Sequence, residues 1–75
     1  MNELLSTVME TSLHIAWDYL ERTGELGDPE IAGRVLLDAI EGLILRGETR
    51  KIMLSNKAID AYRQFKAERS LTLVS

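Results

Sequence analysis

The sequence contains no cysteine, a single proline and a single tryptophan, and no long apolar run that is free of charge. The lack of cysteine excludes disulfide bridges and thiolate metal sites, and it is typical of a reducing compartment. The first residues carry acids but no early lysine or arginine, which argues against a secretory signal peptide. No uncharged apolar run approaches the roughly 20 residues that span a bilayer. We therefore expect a soluble, cytoplasmic protein that does not enter a membrane.

The 75 residues are enough for one domain, which we expect to span 1–75, and lie near the lower limit for a self-sufficient core. Apolar residues make up 45% of the chain and charged residues 28%, which are ordinary values for a globular protein. Apolar side chains recur with the period of an α-helix in three segments. The predicted helices span about 3–23, 29–46 and 56–68. The sequence thus predicts an all-α three-helix bundle with the second helix at its centre.

The second predicted helix has a clear beginning, a clear end and apolar residues on most of its circumference. Asp28 can cap the first turn, Pro29 suits the first helical position, and Gly47 can end the helix. Its polar side chains form one narrow stripe of Arg34, Asp38 and Glu41. At about 100° per residue, apolar side chains cover roughly 240° of the remainder. A helix with one neighbour needs a much narrower apolar stripe, so we expect neighbours on at least two sides.

Both ends of the third helix admit alternatives. Ser55 is a good N-cap for a helix over Asn56–Glu68, but a start near Arg50 with Thr49 as the cap also fits. We favour the Ser55 start. The tail Ser70–Ser75 alternates apolar and polar residues and predicts a short extended segment. It could pair as a strand beside the segment before the third helix, fray, or lie on the apolar surface of a partner.

Two short motifs carry a resemblance to known proteins. The segment SNKAIDAYRQFK at 55–66, together with the helix start DPE at 28–30, is similar to small helical bacterial proteins of unknown function. The resemblance implies a small helical fold. It implies no activity, cofactor or site residue.

Charge is distributed unevenly along the chain. Residues 1–45 contain nine acids and two bases, a net −7, whereas 46–75 contain seven bases and three acids, a net +4. A three-helix protein with a basic last helix is typical of helix-turn-helix DNA binders. The candidate nucleic-acid face consists of Arg50, Lys51, Lys57 and Arg63. The pI of about 5.0 and the long connector before the third helix argue against that function, so we keep it as an alternative.

The sequence lacks the residues that a metal site or an active site would need. His14 is the only histidine, and Glu10 and Asp18 lie on its helical face, which permits weak binding of a divalent metal. No second cluster completes a metal shell, and a solvated polar face explains the three residues more simply. No nucleophile has a base within reach in the predicted fold. We therefore expect neither enzyme activity nor a cofactor, and a metal-binding role is the weakest alternative.

The first two helices together have more apolar surface than three mutually packed helices need to bury. Such a surplus usually marks a surface for a partner. The leading prediction is therefore a non-catalytic protein-interaction module that forms a homodimer, since a symmetric dimer uses one patch twice. Another protein is also a possible partner. The candidate interface residues are Leu13, Trp17, Leu37, Ile40 and Ile44.

Overall fold

The computed structural model describes residues 4–74, with side chains through residue 70, and these residues form three helices, of which the second runs antiparallel to the other two. α1 spans Leu5–Arg22, α2 spans Pro29–Leu45 and α3 spans Lys51–Val74. Each helix packs against the other two, and no strand occurs within 4–74. The prediction of an all-α three-helix bundle is confirmed. Over the same range, no helix has the length and apolar character needed to cross a bilayer.

Buried residues recur at every fourth position, so each helix contributes a row of side chains to a common core, and Ser55 and Ile59 form a second buried row on α3. Residues four apart lie on the same side of a helix because four steps of about 100° complete little more than one turn. The core rows are Val8, Ser12, Ala16 and Leu20 on α1, Ala32, Leu36 and Ile40 on α2, and Leu54, Ala58 and Tyr62 on α3. No buried side-chain polar atom of the described residues lacks a hydrogen-bond partner.

α2 begins and ends through the local interactions that its sequence predicts. The carboxylate of Asp28 accepts from the amides of Glu30 and Ile31, at 2.9 and 3.4 Å. At the other end, Gly47 has a φ of 102°, which a residue with a Cβ rarely adopts. Its amide donates to the carbonyl of Ile44 at 2.9 Å. These interactions define the first and last turns of α2.

The predicted start of the third helix at Ser55 is wrong, because α3 begins one turn earlier. Ser55 is fully buried, and its hydroxyl donates to the carbonyl of Ile52 at 2.9 Å. Serine makes this bond inside a helix as well as capping one, so the residue alone does not locate the start. The alternative start near Arg50 is the observed one. The carboxylate of Glu48, rather than Thr49, accepts from the Arg50 amide at 3.1 Å.

The prediction of an extended C-terminal tail is also wrong. α3 continues to Val74, and Ser75 lies outside the described residues. A continued helix gives every backbone amide an acceptor four residues earlier, whereas a short isolated strand is only marginally stable. α3 passes the α1–α2 connector at Lys66, which bonds to it. The helix then runs on for eight residues, or about 12 Å.

Candidate functional site

α1 and α2 meet along two rows of mostly apolar residues beside their core rows, on the side of the bundle away from α3. We call this surface the α1/α2 face. It consists of Leu5, Met9, Leu13 and Trp17 on α1 and Gly33, Leu37, Glu41 and Leu45 on α2. The rows run antiparallel and meet at the Trp17 ring, which would lie 3.7 Å from a Cβ placed on Gly33. The Trp17 indole therefore packs beside Gly33, at a distance that leaves room for a Cβ.

The α1/α2 face is open to solvent over much of its length. Leu45 is 88% exposed and Leu5 is 55% exposed. Leu13 and Trp17 are half-buried and pack against the core, and Leu37 is half-buried as well. The core therefore holds the inner edge of these side chains, while their outer edge faces water.

The structure divides the five predicted interface residues into three groups. Leu13, Trp17 and Leu37 lie together on the α1/α2 face. Ile40 is fully buried in the core row of α2, so its assignment to an interface is wrong. Ile44 continues that row at the end of α2, where it is half-buried and packs against the core. A helical wheel gives the width of an apolar arc but not which part of it a neighbouring helix covers.

The sequence-based prediction missed three large apolar members of the α1/α2 face. Leu5 and Met9 precede Leu13 by eight and four residues, and Leu45 follows Leu37 by eight. The signal was the spacing of four residues, which places successive members of a row on the same side of the helix. Leu5 and Leu45 then stand out as the most exposed members of their rows.

The four predicted nucleic-acid residues do not form one face. Arg50 and Lys57 lie around the carboxylate of Glu48, with nitrogen–oxygen distances of 3.0 and 3.8 Å. The bonds from Arg50 lower the pKa of Glu48 to about 2. Lys51 and Arg63 lie on the other flank of α3, twelve residues and about 18 Å apart. Nucleic-acid binding stays a prediction, without a continuous basic surface to support it.

Arg63 joins α3 to α1 and to the α1–α2 connector. Its guanidinium donates to both carboxylate oxygens of Glu25 at 2.9 Å, and to the Tyr19 hydroxyl at 3.2 Å. The bidentate bond from Arg63, helped by a hydrogen bond from Thr23, lowers the pKa of Glu25 to about 2. Lys66 donates to the Glu25 carbonyl at 2.7 Å. We call this set of contacts the α3–connector junction.

A buried tyrosine completes the α3–connector junction. Tyr62 is 2% exposed, and its hydroxyl donates to the carbonyl of Leu26 in the connector. Burial raises the pKa of Tyr62, and the carboxylate of Asp28 adds to the effect. Phe65 stacks on the tyrosine with ring centres 6.4 Å apart. These aromatic residues are explained by packing and by one hydrogen bond.

The predicted metal-binding face has no metal-site geometry. His14 is exposed, and Asp18 forms an ion pair with Arg22 at 2.6 Å. Within the described part of the chain, no three histidine, cysteine or carboxylate residues come close enough to hold an ion. The histidine hypothesis therefore gains no support from the arrangement of these side chains.

Compared with known proteins, the chain matches no family model, no curated protein and no solved structure at a significant level. Function is therefore inferred from the surfaces of the molecule itself.

Proposed function

We propose that this chain is a non-catalytic protein-interaction module that self-associates by burying its α1/α2 face, with a homodimer as the smallest assembly. The exposure of large apolar side chains on that face is the observation that supports the proposal most. Leu5 and Leu45 are both more than half exposed, and Leu13, Trp17 and Leu37 are half-buried. Contiguous apolar surface on a soluble domain usually serves a partner.

The free energy gained by burial and the cost of association together predict a modest affinity between copies. Fully burying an exposed leucine is worth roughly 1.5–3 kcal/mol, and each face that is buried brings two of them, Leu5 and Leu45. Association costs about 4–15 kcal/mol in lost translational and rotational freedom, before any side chain is ordered. The partly buried members of the face add to the gain only over the area that they still expose. We therefore expect dissociation constants in the micromolar range.

The proposed interface can be tested with a variant that places charge on it. Leu37→Glu combined with Leu45→Glu should reduce the association constant at least about tenfold, because a carboxylate buried between copies loses its hydration. Light scattering after size-exclusion chromatography measures the mass, and circular dichroism checks that the helices remain. Ile52→Glu is the matched control, since Ile52 is 61% exposed but lies on the outward side of α3.

The proposal fails if the unmodified chain has the monomer mass of 8.5 kDa at all accessible concentrations. It also fails if the face variant and the control associate equally well. The alternative function, nucleic-acid binding, is not favoured, because Arg50 and Lys57 pair with Glu48, and Arg63 pairs with Glu25.

A further inference from the structure

A second apolar surface lies between α2 and α3, and its charge is opposite to that of the α1/α2 face. Three adjoining hollows of about 250 to 410 Å³ follow the helices from Gly27 to Arg46. We call them together the α2/α3 groove. Its apolar and small lining residues are Ile31, Val35, Ala39, Gly42, Leu43, Ala61 and Phe65. The groove is therefore large enough to receive side chains from another molecule.

Cations outnumber acids along the α2/α3 groove. Within residues 4–74, the unpaired cations are Arg34, Arg46, Lys66 and Arg69, since Lys57 already pairs with Glu48, and the acids are Asp28 and Asp38. The Asp28 carboxylate already accepts from two amides at the start of α2. Lys66 donates to a neutral carbonyl, so its charge is not cancelled by that contact. The groove thus presents positive charge around an apolar floor.

The α1/α2 face carries the opposite sign. Its two rows contain or continue into Glu41 and Glu21. The carboxylate of neither residue forms a hydrogen bond or an ion pair within residues 4–74. Asp18 and Arg22 on α1 pair with each other and cancel. The face therefore presents unpaired negative charge around an apolar centre.

We infer that the α1/α2 face of one copy docks on the α2/α3 groove of the next, so that copies join head to tail. This inference rests on the proposed self-association and names the surface that receives the face. A two-fold dimer that used the face twice would bring two acidic rims together, whereas the head-to-tail contact pairs acidic with basic surface. Because each added copy leaves one face and one groove unfilled, assembly continues beyond two copies or closes into a ring.

A complementation experiment separates the two geometries. The face variant, Leu37→Glu with Leu45→Glu, keeps its groove, and the groove variant, Ala61→Glu with Arg69→Glu, keeps its face. Each variant alone should have the monomer mass, and an equimolar mixture should form a species of twice that mass. Ile52→Glu with Gln64→Glu adds the same charge as the face variant on the outward side of α3, and it should associate like the unmodified chain.

The opposite results overturn the inference. If the groove variant alone still dimerises and the mixture forms no new species, the face pairs with itself, and the proposed self-association stands without this geometry. If the mixture stays monomeric while the unmodified chain associates, the groove is not the partner surface. A strictly monomeric unmodified chain removes the proposed function as well.

Salt dependence of the unmodified chain gives a second test that needs no variant. Added salt screens exposed charges over about 10 Å at 0.1 M. Head-to-tail association should therefore weaken severalfold as salt is raised through that range. Association that strengthens with salt would indicate acidic rims facing each other and would overturn the inference.

Discussion

α1 meets α3 and α2 along two flanks that are built from different chemistry. On the α3 flank, Tyr19 accepts a hydrogen bond from Arg63, which also clasps Glu25 in the connector. On the α2 flank, the contact consists of apolar side chains such as Trp17 against Gly33. The polar flank is closed by directional bonds within the chain. The apolar flank is held by side-chain packing instead, and part of its side chains remains exposed to water.

The comparison shows how charged side chains can be used in contacts within the chain. Arg50 and Arg63 are prominent in the sequence as members of a basic segment, but each has a bidentate carboxylate partner in the same chain. Leu5 and Leu45 are unremarkable in the sequence, yet they are the members of the α1/α2 face with the most exposed surface. Side chains that have no partner in the folded chain are therefore the better candidates for a binding surface.

The largest expected effect separates the buried row of α2 from its exposed row. Ile40→Ala should lower the free energy of unfolding by about 2–5 kcal/mol, because it leaves a cavity in a fully enclosed site. Leu45→Ala should change the stability of the monomer by less than about 0.5 kcal/mol. Urea unfolding at low protein concentration measures both. Similarly small effects for the two variants would indicate that Ile40 is not enclosed in the core.

A smaller effect should follow from removing one hydrogen bond of the α3–connector junction. Tyr62→Phe should lower the free energy of unfolding by about 1 kcal/mol, since the Leu26 carbonyl loses its donor from a buried side chain. Tyr19→Phe is the control, because the Tyr19 hydroxyl is part of an exposed contact with Arg63. Urea unfolding should show the larger loss for Tyr62→Phe. An equal loss for both would mean that burial does not distinguish the two bonds.

The smallest expected effect is a dependence of stability on acid pH. The pKa values of Glu25 and Glu48 are lowered from 4.5 to about 2 in the folded chain, chiefly by bonds from Arg63 and Arg50. Their stabilising contribution is complete above the unfolded value and is lost as the pH falls from about 4.5 towards 2. Because the arginine partners of both carboxylates remain exposed to solvent, the loss should be modest.

Thermal unfolding between pH 6 and pH 2 measures this dependence. Glu25→Gln combined with Glu48→Gln should flatten the profile over that range, whereas Glu30→Gln, which changes an exposed carboxylate with no ion pair within residues 4–74, should not. A profile that is equally steep in both variants would show that the two ion pairs do not stabilise the fold.

The sequence predicted the helices well wherever a local signal was unambiguous. The cap at Asp28 and the stop at Gly47 located α2 to within one residue. The signal at Ser55 was ambiguous, since a serine can cap a helix or bond to a carbonyl within one. The prediction for the tail was wrong because such a short alternating segment fits either a helix or a strand. The conformation of the tail depends on whether the backbone hydrogen bonds of the preceding helix continue into it.

The candidate site was predictable only in part. The spacing of four residues is by itself enough to join Leu5 and Met9 to Leu13 in one row. Which arc of α2 faces α1 and which faces α3 depends on the packing angle of the helices, and a single sequence does not specify that angle. The opposite charge of the α1/α2 face and the α2/α3 groove has the same origin. The cations of α3 divide between two flanks only after the helices are packed.

Sedimentation equilibrium of the unmodified chain tests the central claim most directly. Buried apolar surface between copies predicts a mass that rises with concentration through the micromolar range, from 8.5 kDa to twice that value or more. The rise should be lost when Leu37 and Leu45 are both changed to glutamate. A mass that stays at 8.5 kDa at every concentration would contradict the account, and the α1/α2 face would then be a surface that needs no second copy.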